Sequence, residues 1–172
     1  LRSWVADGGV LGEVTLVVPK RRGIGGMALH ESDGLVVGGR DIACVSLTDG
    51  TTHSLLSLDA IPGATGFNDL TADAAGRIYV GSLAFRVFSG ETPKPGHLHV
   101  IDLDGSMRTL SDGVLLTNGL GFSPDGRHLY HSDARAPLVR VYNVAPDGSV
   151  GPWRKFASLG EAGVPDGLKV AS

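Results

Sequence analysis

The chain has 172 residues, 26 of them glycine and 9 proline, with 42% hydrophobic and 6% aromatic residues. That is a turn-rich globular composition, of a length suited to one domain. A net charge of -3, with no basic run beyond Lys20-Arg21-Arg22, argues against a nucleic-acid partner, and no stretch approaches the roughly 18 consecutive apolar residues of a membrane span. No signal-peptide pattern opens the chain, so the cytoplasm is the expected compartment. The single cysteine, Cys44, excludes an internal disulfide and reads as an inert core thiol.

In chain order, residues 1–22 read as the outer hairpin of a repeat unit, with a turn at Asp7-Gly8 and a strand over Val14–Val18. Residues 23–62 hold a full unit, from Gly26-Met27-Ala28-Leu29-His30 through a turn at Asp33-Gly34, a strand Ile42–Leu47 and a turn at Asp49-Gly50. Residues 63–113 repeat it: Phe67-Asn68-Asp69-Leu70, the turn at Gly76, a strand His97–Leu103 and Asp104-Gly105. Residues 114–162 repeat it again with Thr117-Asn118-Gly119-Leu120, Asp125-Gly126, Leu138–Val144 and Asp147-Gly148. Residues 163–172 restart the pattern at Pro165-Asp166-Gly167-Leu168.

The turn glycines Gly34, Gly76 and Gly126 lie 42 and 50 residues apart, and the Asp-Gly turns alternate with them. Asp-Gly between apolar runs marks a hairpin, because glycine accepts φ > 0 without strain. Two hairpin turns per period of roughly 40–50 residues make four short strands per repeat, which predicts an all-β chain built of propeller blades. No stretch has a capped helical period, so almost no helix is expected. The count comes to two strands, three full blades and one strand, an incomplete ring of three to four blades. With no Met at Leu1, this reads as a fragment with uncovered edges at both ends.

Eight residues before each of these turn glycines stand Gly26, Asn68 and Asn118, and Asp166 continues the series. In a propeller these positions head successive inner strands and converge on one axial mouth. Two amides and one carboxylate, with Asp166 the only acid of the ring, make an oxygen-rich site suited to a hard cation such as Ca²⁺, Mg²⁺ or Mn²⁺. Elsewhere, Asp73 and Asp125 read as turn residues. His97, His99, Trp4 and Trp153 read as packing or surface residues.

The Phe67-Asn68-Asp69 and Asp73-Ala74-Ala75-Gly76-Arg77 segments, Gly81-Ser82, Thr117-Asn118-Gly119 and Pro165-Asp166-Gly167 together resemble the gluconolactonase/regucalcin (senescence marker protein) family of six-bladed β-propellers. The resemblance implies a divalent-metal-dependent hydrolase of small sugar-like lactones, with Ca²⁺ the expected cofactor and Zn²⁺, Mg²⁺ or Mn²⁺ the alternatives. It also implies Asn118 and Asp166 as metal ligands and Asn68 as a substrate contact. Asp166 is then the residue expected to orient or deprotonate the attacking water. The chain departs from the family at three places. An N-terminal Glu ligand would precede Leu1, Gly66 replaces a sugar-contacting Arg, and Arg86 stands near a position that is usually acidic. Arg86 is therefore a candidate substrate contact, and the two changes point away from plain gluconolactone. Ser82, Phe85 and Ser132-Asp133 are candidates to shape the same pocket. The rival readings are a non-catalytic binding propeller and a phosphotriesterase-like hydrolase on the same metal site.

Overall fold

The computed structural model describes residues 8–10, 12–18, 21, 23–31 and 34–171. Asp7, Asp33 and Trp4 lie outside the described residues. Among the described residues twelve strands form three four-stranded antiparallel sheets. The first sheet holds β1 (Met27–His30), β2 (Gly34–Val37), β3 (Asp41–Ser46) and β4 (Thr52–Ser57). The second holds β5 (Gly66–Ala72), β6 (Ile78–Leu83), β7 (Gly96–Ile101) and β8 (Met107–Val114). The third holds β9 (Thr117–Phe122), β10 (His128–Asp133), β11 (Leu138–Asn143) and β12 (Arg154–Ser158). Each sheet is a simple meander, and among the described residues the only helical pieces are the 3₁₀ turns Leu58–Ala60 and Gly160–Ala162. No helix among the described residues is long and apolar enough to cross a membrane.

The hairpins are closed by one local device. In Asp49-Gly50-Thr51, Asp104-Gly105-Ser106 and Asp147-Gly148-Ser149 the glycine takes φ of 74°, 81° and 80°. The Asp Oδ1 accepts the backbone N–H two residues on, at 3.0, 2.9 and 2.9 Å. These Asx turns offer the chain a bond that neither helix nor sheet would provide there. Hydrogen bonds from Thr51 hold the Asp49 carboxyl down at about 2.

Packing follows the two-residue period of a strand. In β6, Ile78 and Val80 join Val36, Ile42, Leu56, Phe67 and Leu70 in a core between the first and second sheets. Tyr79 points the other way and meets Leu98, Val100, Leu120, Leu129 and Tyr142 between the second and third. The middle sheet is thus buried on both faces, which is why β6 opens on three consecutive apolar residues, Ile78-Tyr79-Val80. Polar anchors tie the same neighbours together. Tyr79 donates to the Gly148 carbonyl at 3.0 Å, Arg77 to the Pro146 carbonyl at 3.0 Å and Arg108 to the Asp147 carbonyl at 2.8 Å. The inner strands β1, β5 and β9 lie side by side, so the three sheets are blades of a β-propeller.

Two sequence expectations change. Val14–Val18 forms no strand; only Thr15 makes an isolated bridge, and Val18 reaches the first sheet by side-chain packing on Val37, Ala43 and Val45. Residues 163–171 carry no ladder. Leu168 and Val170 nevertheless lie against Gly119 and Gly121, alongside β9.

Gly81 of β6 shows how closely the blades approach, since a Cβ there would overlap the Thr117 side chain. Gly81→Ala is expected to cost about 1–3 kcal/mol by overpacking, read as a lowered urea midpoint at unchanged m-value.

Candidate functional site at the heads of the inner strands

The site is built by a repeated irregularity. On β5, Phe67 pairs with Ser82 and Leu70 with Val80, so three steps along β5 match two along β6. On β9, Thr117 pairs with Asp133 and Leu120 with His131, again three steps against two. Each inner strand therefore carries one extra residue, a β-bulge, at Asn68-Asp69 and at Asn118-Gly119. A bulge releases two neighbouring residues from strict alternation and re-aims their side chains.

Asn68 and Asp69 consequently both reach β9. The Asn68 amide nitrogen donates to the Thr117 carbonyl at 2.6 Å and to Asn118 Oδ1 at 3.2 Å. Asp69 Oδ2 accepts the Gly119 N–H at 2.6 Å, while its Oδ1 accepts the N–H of Leu70 at 2.9 Å. On the other side the Gly26 N–H donates to the Asn68 carbonyl at 2.8 Å. A Cβ on Gly26 would strike the Asp69 carboxylate and the Leu70 nitrogen. The first blade contributes glycine at this position because there is no room for a side chain. Asp166 joins from the following segment: its carbonyl would lie 2.6 Å from a Cβ on Gly119, and its side chain is exposed with no hydrogen bond among the described residues.

The reading of Asp166 as the only acid of the ring is thereby corrected. Asp69 is a second carboxylate between the inner strands, brought there by the bulge, which strand periodicity does not reveal. Thr117 is the other residue missed from the sequence. It is fully buried, its carbonyl holds Asn68, and its hydroxyl lies 3.0 Å from His131 Nε2. His131 is buried and its Nδ1 has no hydrogen-bond partner among the described residues. Burial and the nearby Arg140 push its pKa down to about 3, so the ring stays neutral.

Among the pocket candidates, Ser82 and Phe85 are buried at 2% and 1% exposure. Ser82 Oγ sits 2.9 Å from His99 Nε2, and His99 Nδ1 sits 3.1 Å from Thr109 Oγ1. Burial brings the His99 pKa down to about 4. Ser132-Asp133 does not line the mouth. Asp133 is fully buried and spends its oxygens on the N–H groups of Leu115 and Leu116 and on Arg140, each at 3.0 Å. Arg86 stands at the rim with its side chain 77% exposed and only a 3.9 Å ion pair to Glu91. With Arg40, Leu58, Ala64 and Thr65 it lines a cleft of about 750 Å³.

Comparison with known proteins places this geometry. Residues 9–172 match the family model described as SMP-30/Gluconolactonase/LRE-like region. The chain is 32% identical to a 6-deoxy-6-sulfogluconolactonase of Pseudomonas putida over 161 residues, covering 89% of this chain and 52% of that protein. A gluconolactonase structure from Xanthomonas campestris superposes with a TM-score of 0.71 at 26% identity, covering 88% of this chain and 54% of that one. The structure of a calcium-binding regucalcin from Agrobacterium tumefaciens, 20% identical, shares the fold with a TM-score of 0.69 over 82% of this chain and 48% of that one. The chain spans about half the length of the curated relatives it matches.

Asp69→Ala strips acceptors from two backbone N–H groups and is expected to cost about 1–3 kcal/mol, with Asp69→Asn milder; thermal unfolding of the pair checks this. The buried histidines set a pH dependence. Unfolded, they take up protons below their ordinary value of 6.5; folded, they resist until about pH 4 for His99 and 3 for His131. Stability therefore falls as pH drops from 6.5 toward 4, with a slope of up to about two protons. His131→Gln should remove about one proton from that slope in urea midpoints measured across the same range.

Proposed function

The chain belongs to the SMP-30/gluconolactonase/LRE-like family, and on that premise we propose that it serves the hydrolysis of a small sugar-like lactone by water, with a divalent cation held at the heads of the inner strands. The observation that carries this reading is the contact of Asn68 with Asn118 across two blades, beside the backbone of Asp166.

The donor chemistry fits a hard cation. Asn118 Oδ1 and the Asp166 carboxylate would hold it, with Asn68 alongside; these are amide and carboxylate oxygens, the kind Ca²⁺ takes. The donors are oxygens, with neither His nor Cys in the set, which suits Ca²⁺ better than Zn²⁺. Related proteins include a regucalcin described as calcium-binding. When bound, the cation supplies a Lewis acid for the lactone carbonyl and for the negative charge that develops on it.

The rest falls to this chain's own residues. Asp166, exposed and without an internal partner, orients the attacking water and accepts its proton. The hydroxyl adds to the carbonyl carbon, the ring C–O bond breaks, and the ring oxygen leaves with a proton to give the open hydroxy acid. Asn68 has its nitrogen committed to Thr117 and Asn118, which leaves its Oδ1 to accept from a substrate hydroxyl. Asp69 has an oxygen on each of two backbone N–H groups and acts as a fixed anion that orders the mouth, not as the base. Arg86 would contact the substrate from the rim.

The test is a panel of five- and six-carbon lactones, with one phosphotriester, assayed on the full-length protein with and without EDTA. Lactone hydrolysis is expected to vanish with EDTA and return with Ca²⁺. Asp166→Asn is expected to lose about 10²–10⁴-fold in kcat. If no lactone on the panel is turned over in the presence of Ca²⁺, the hydrolase reading fails.

A further inference from the structure

The loops between the second and third strands of the blades open on the same face as the mouth. The β2–β3 loop follows Val37, which pairs with Met27 at the head of β1. The β6–β7 loop follows Leu83, which pairs with Gly66 at the head of β5. Arg40 lies in the first loop and Arg86 in the second, and both face one cleft at the junction of the first two blades, about 750 Å³ in volume. Its remaining walls, Leu58, Ala64 and Thr65, carry no charge.

Neither guanidinium is used up inside the protein. Arg40 is exposed and makes no hydrogen bond or ion pair among the described residues. Arg86 meets Glu91 only at 3.9 Å, with the two side chains 77% and 41% exposed, and exposed pairs of this kind contribute little. Glu91 instead spends an oxygen on the Arg86 backbone N–H at 3.0 Å. Asp41, next to Arg40 in the chain, is held by Arg21 at 2.5 Å. The third blade presents Arg135 in its corresponding loop, again exposed and without a partner among the described residues. Each of these entrance loops thus offers one arginine.

We propose that the cleft binds the acidic end of the substrate, with Arg40 and Arg86 the residues that select a lactone carrying a carboxylate, sulfonate or phosphate on its exocyclic carbon. Guanidinium is the group suited to this, because its planar fork of donors matches all three oxyanions. The reach is right as well. Thr65, on the cleft wall, is three residues from Asn68, about 10 Å along an extended strand, a gap that a six-carbon lactone and a long arginine side chain bridge together. This assignment rests on the lactonase reading for the reaction but not for the anion contact itself.

The experiment uses the full-length protein, its Arg40→Ala/Arg86→Ala double variant and Arg86→Lys, with folding checked by thermal unfolding. Lactones with a terminal carboxylate, sulfonate or phosphate are compared with neutral gluconolactone, and calorimetry compares 6-phosphogluconate with gluconate. In the wild type, kcat/KM should favour at least one charged lactone by tenfold or more. The double variant should lower that ratio at least tenfold and weaken 6-phosphogluconate more than gluconate, and Arg86→Lys should fall between. The ranking of the three charged lactones identifies the oxyanion. If no lactone turns over but calorimetry still shows the charge preference and its loss, the anion cleft stands and the lactonase reading falls. Equal treatment of charged and neutral probes by the wild type, or an unchanged ratio in the double variant, overturns the proposal.

Discussion

One extra residue at the head of an inner strand organises the mouth of this molecule. Without the bulge at Asn68-Asp69, strict alternation would send one of those side chains away from β9. With it, the Asn68 amide and the Asp69 carboxylate both bond to the next blade, to Thr117, Asn118 and Gly119. The second bulge, at Asn118-Gly119, places Gly119 at φ 70° and leaves room for the backbone of Asp166. Asn118 is therefore held by an inter-blade hydrogen bond from Asn68, while Asp166 is set beside it by the packing of its backbone on Gly119.

The blades can carry this irregular rim because their interfaces below it are dry and closely fitted. Tyr79, Leu98 and Val100 from one blade and Leu129 and Tyr142 from the next are all fully buried. The polar groups that share this space are nearly all satisfied, as buried polar groups must be. The Arg140–Asp133 pair is buried at both ends, and Asp133 holds the bend leading into β9 through Leu115 and Leu116. Such a pair adds little net stability against an apolar substitute. Its evident effect is positional, since it fixes where β9 starts and hence where Asn118 stands.

The propeller by itself says little about chemistry, because a fold hosts many functions and the site decides. Here the division of labour is radial. In the proposed reaction the side-chain oxygens of Asn68, Asn118 and Asp166 would take a hard cation at the heads of the inner strands. The rim loops, freer of packing constraints, hold the arginines that face what enters. Family membership narrows the reaction type.

What the residues determine alone is the local part of the structure. Gly50, Gly105 and Gly148 turn the chain wherever Asp-Gly-Ser/Thr occurs, since the side-chain bond and the positive φ belong to those three residues and need nothing else. The alternation in Ile78-Tyr79-Val80, the blade count and the repeat phase of Asn68 and Asn118 are legible for the same reason. The tertiary structure decides everything that depends on register between strands or on loops from different blades. It turns Asp69 onto the backbone of Gly119, makes buried Thr117 a shared partner of Asn68 and His131, withholds a ladder from Val14–Val18, and sets Arg40 across a cleft from Arg86. Each of these joins residues distant in sequence, and a bulge moves side chains without altering composition or period, so no linear pattern records it.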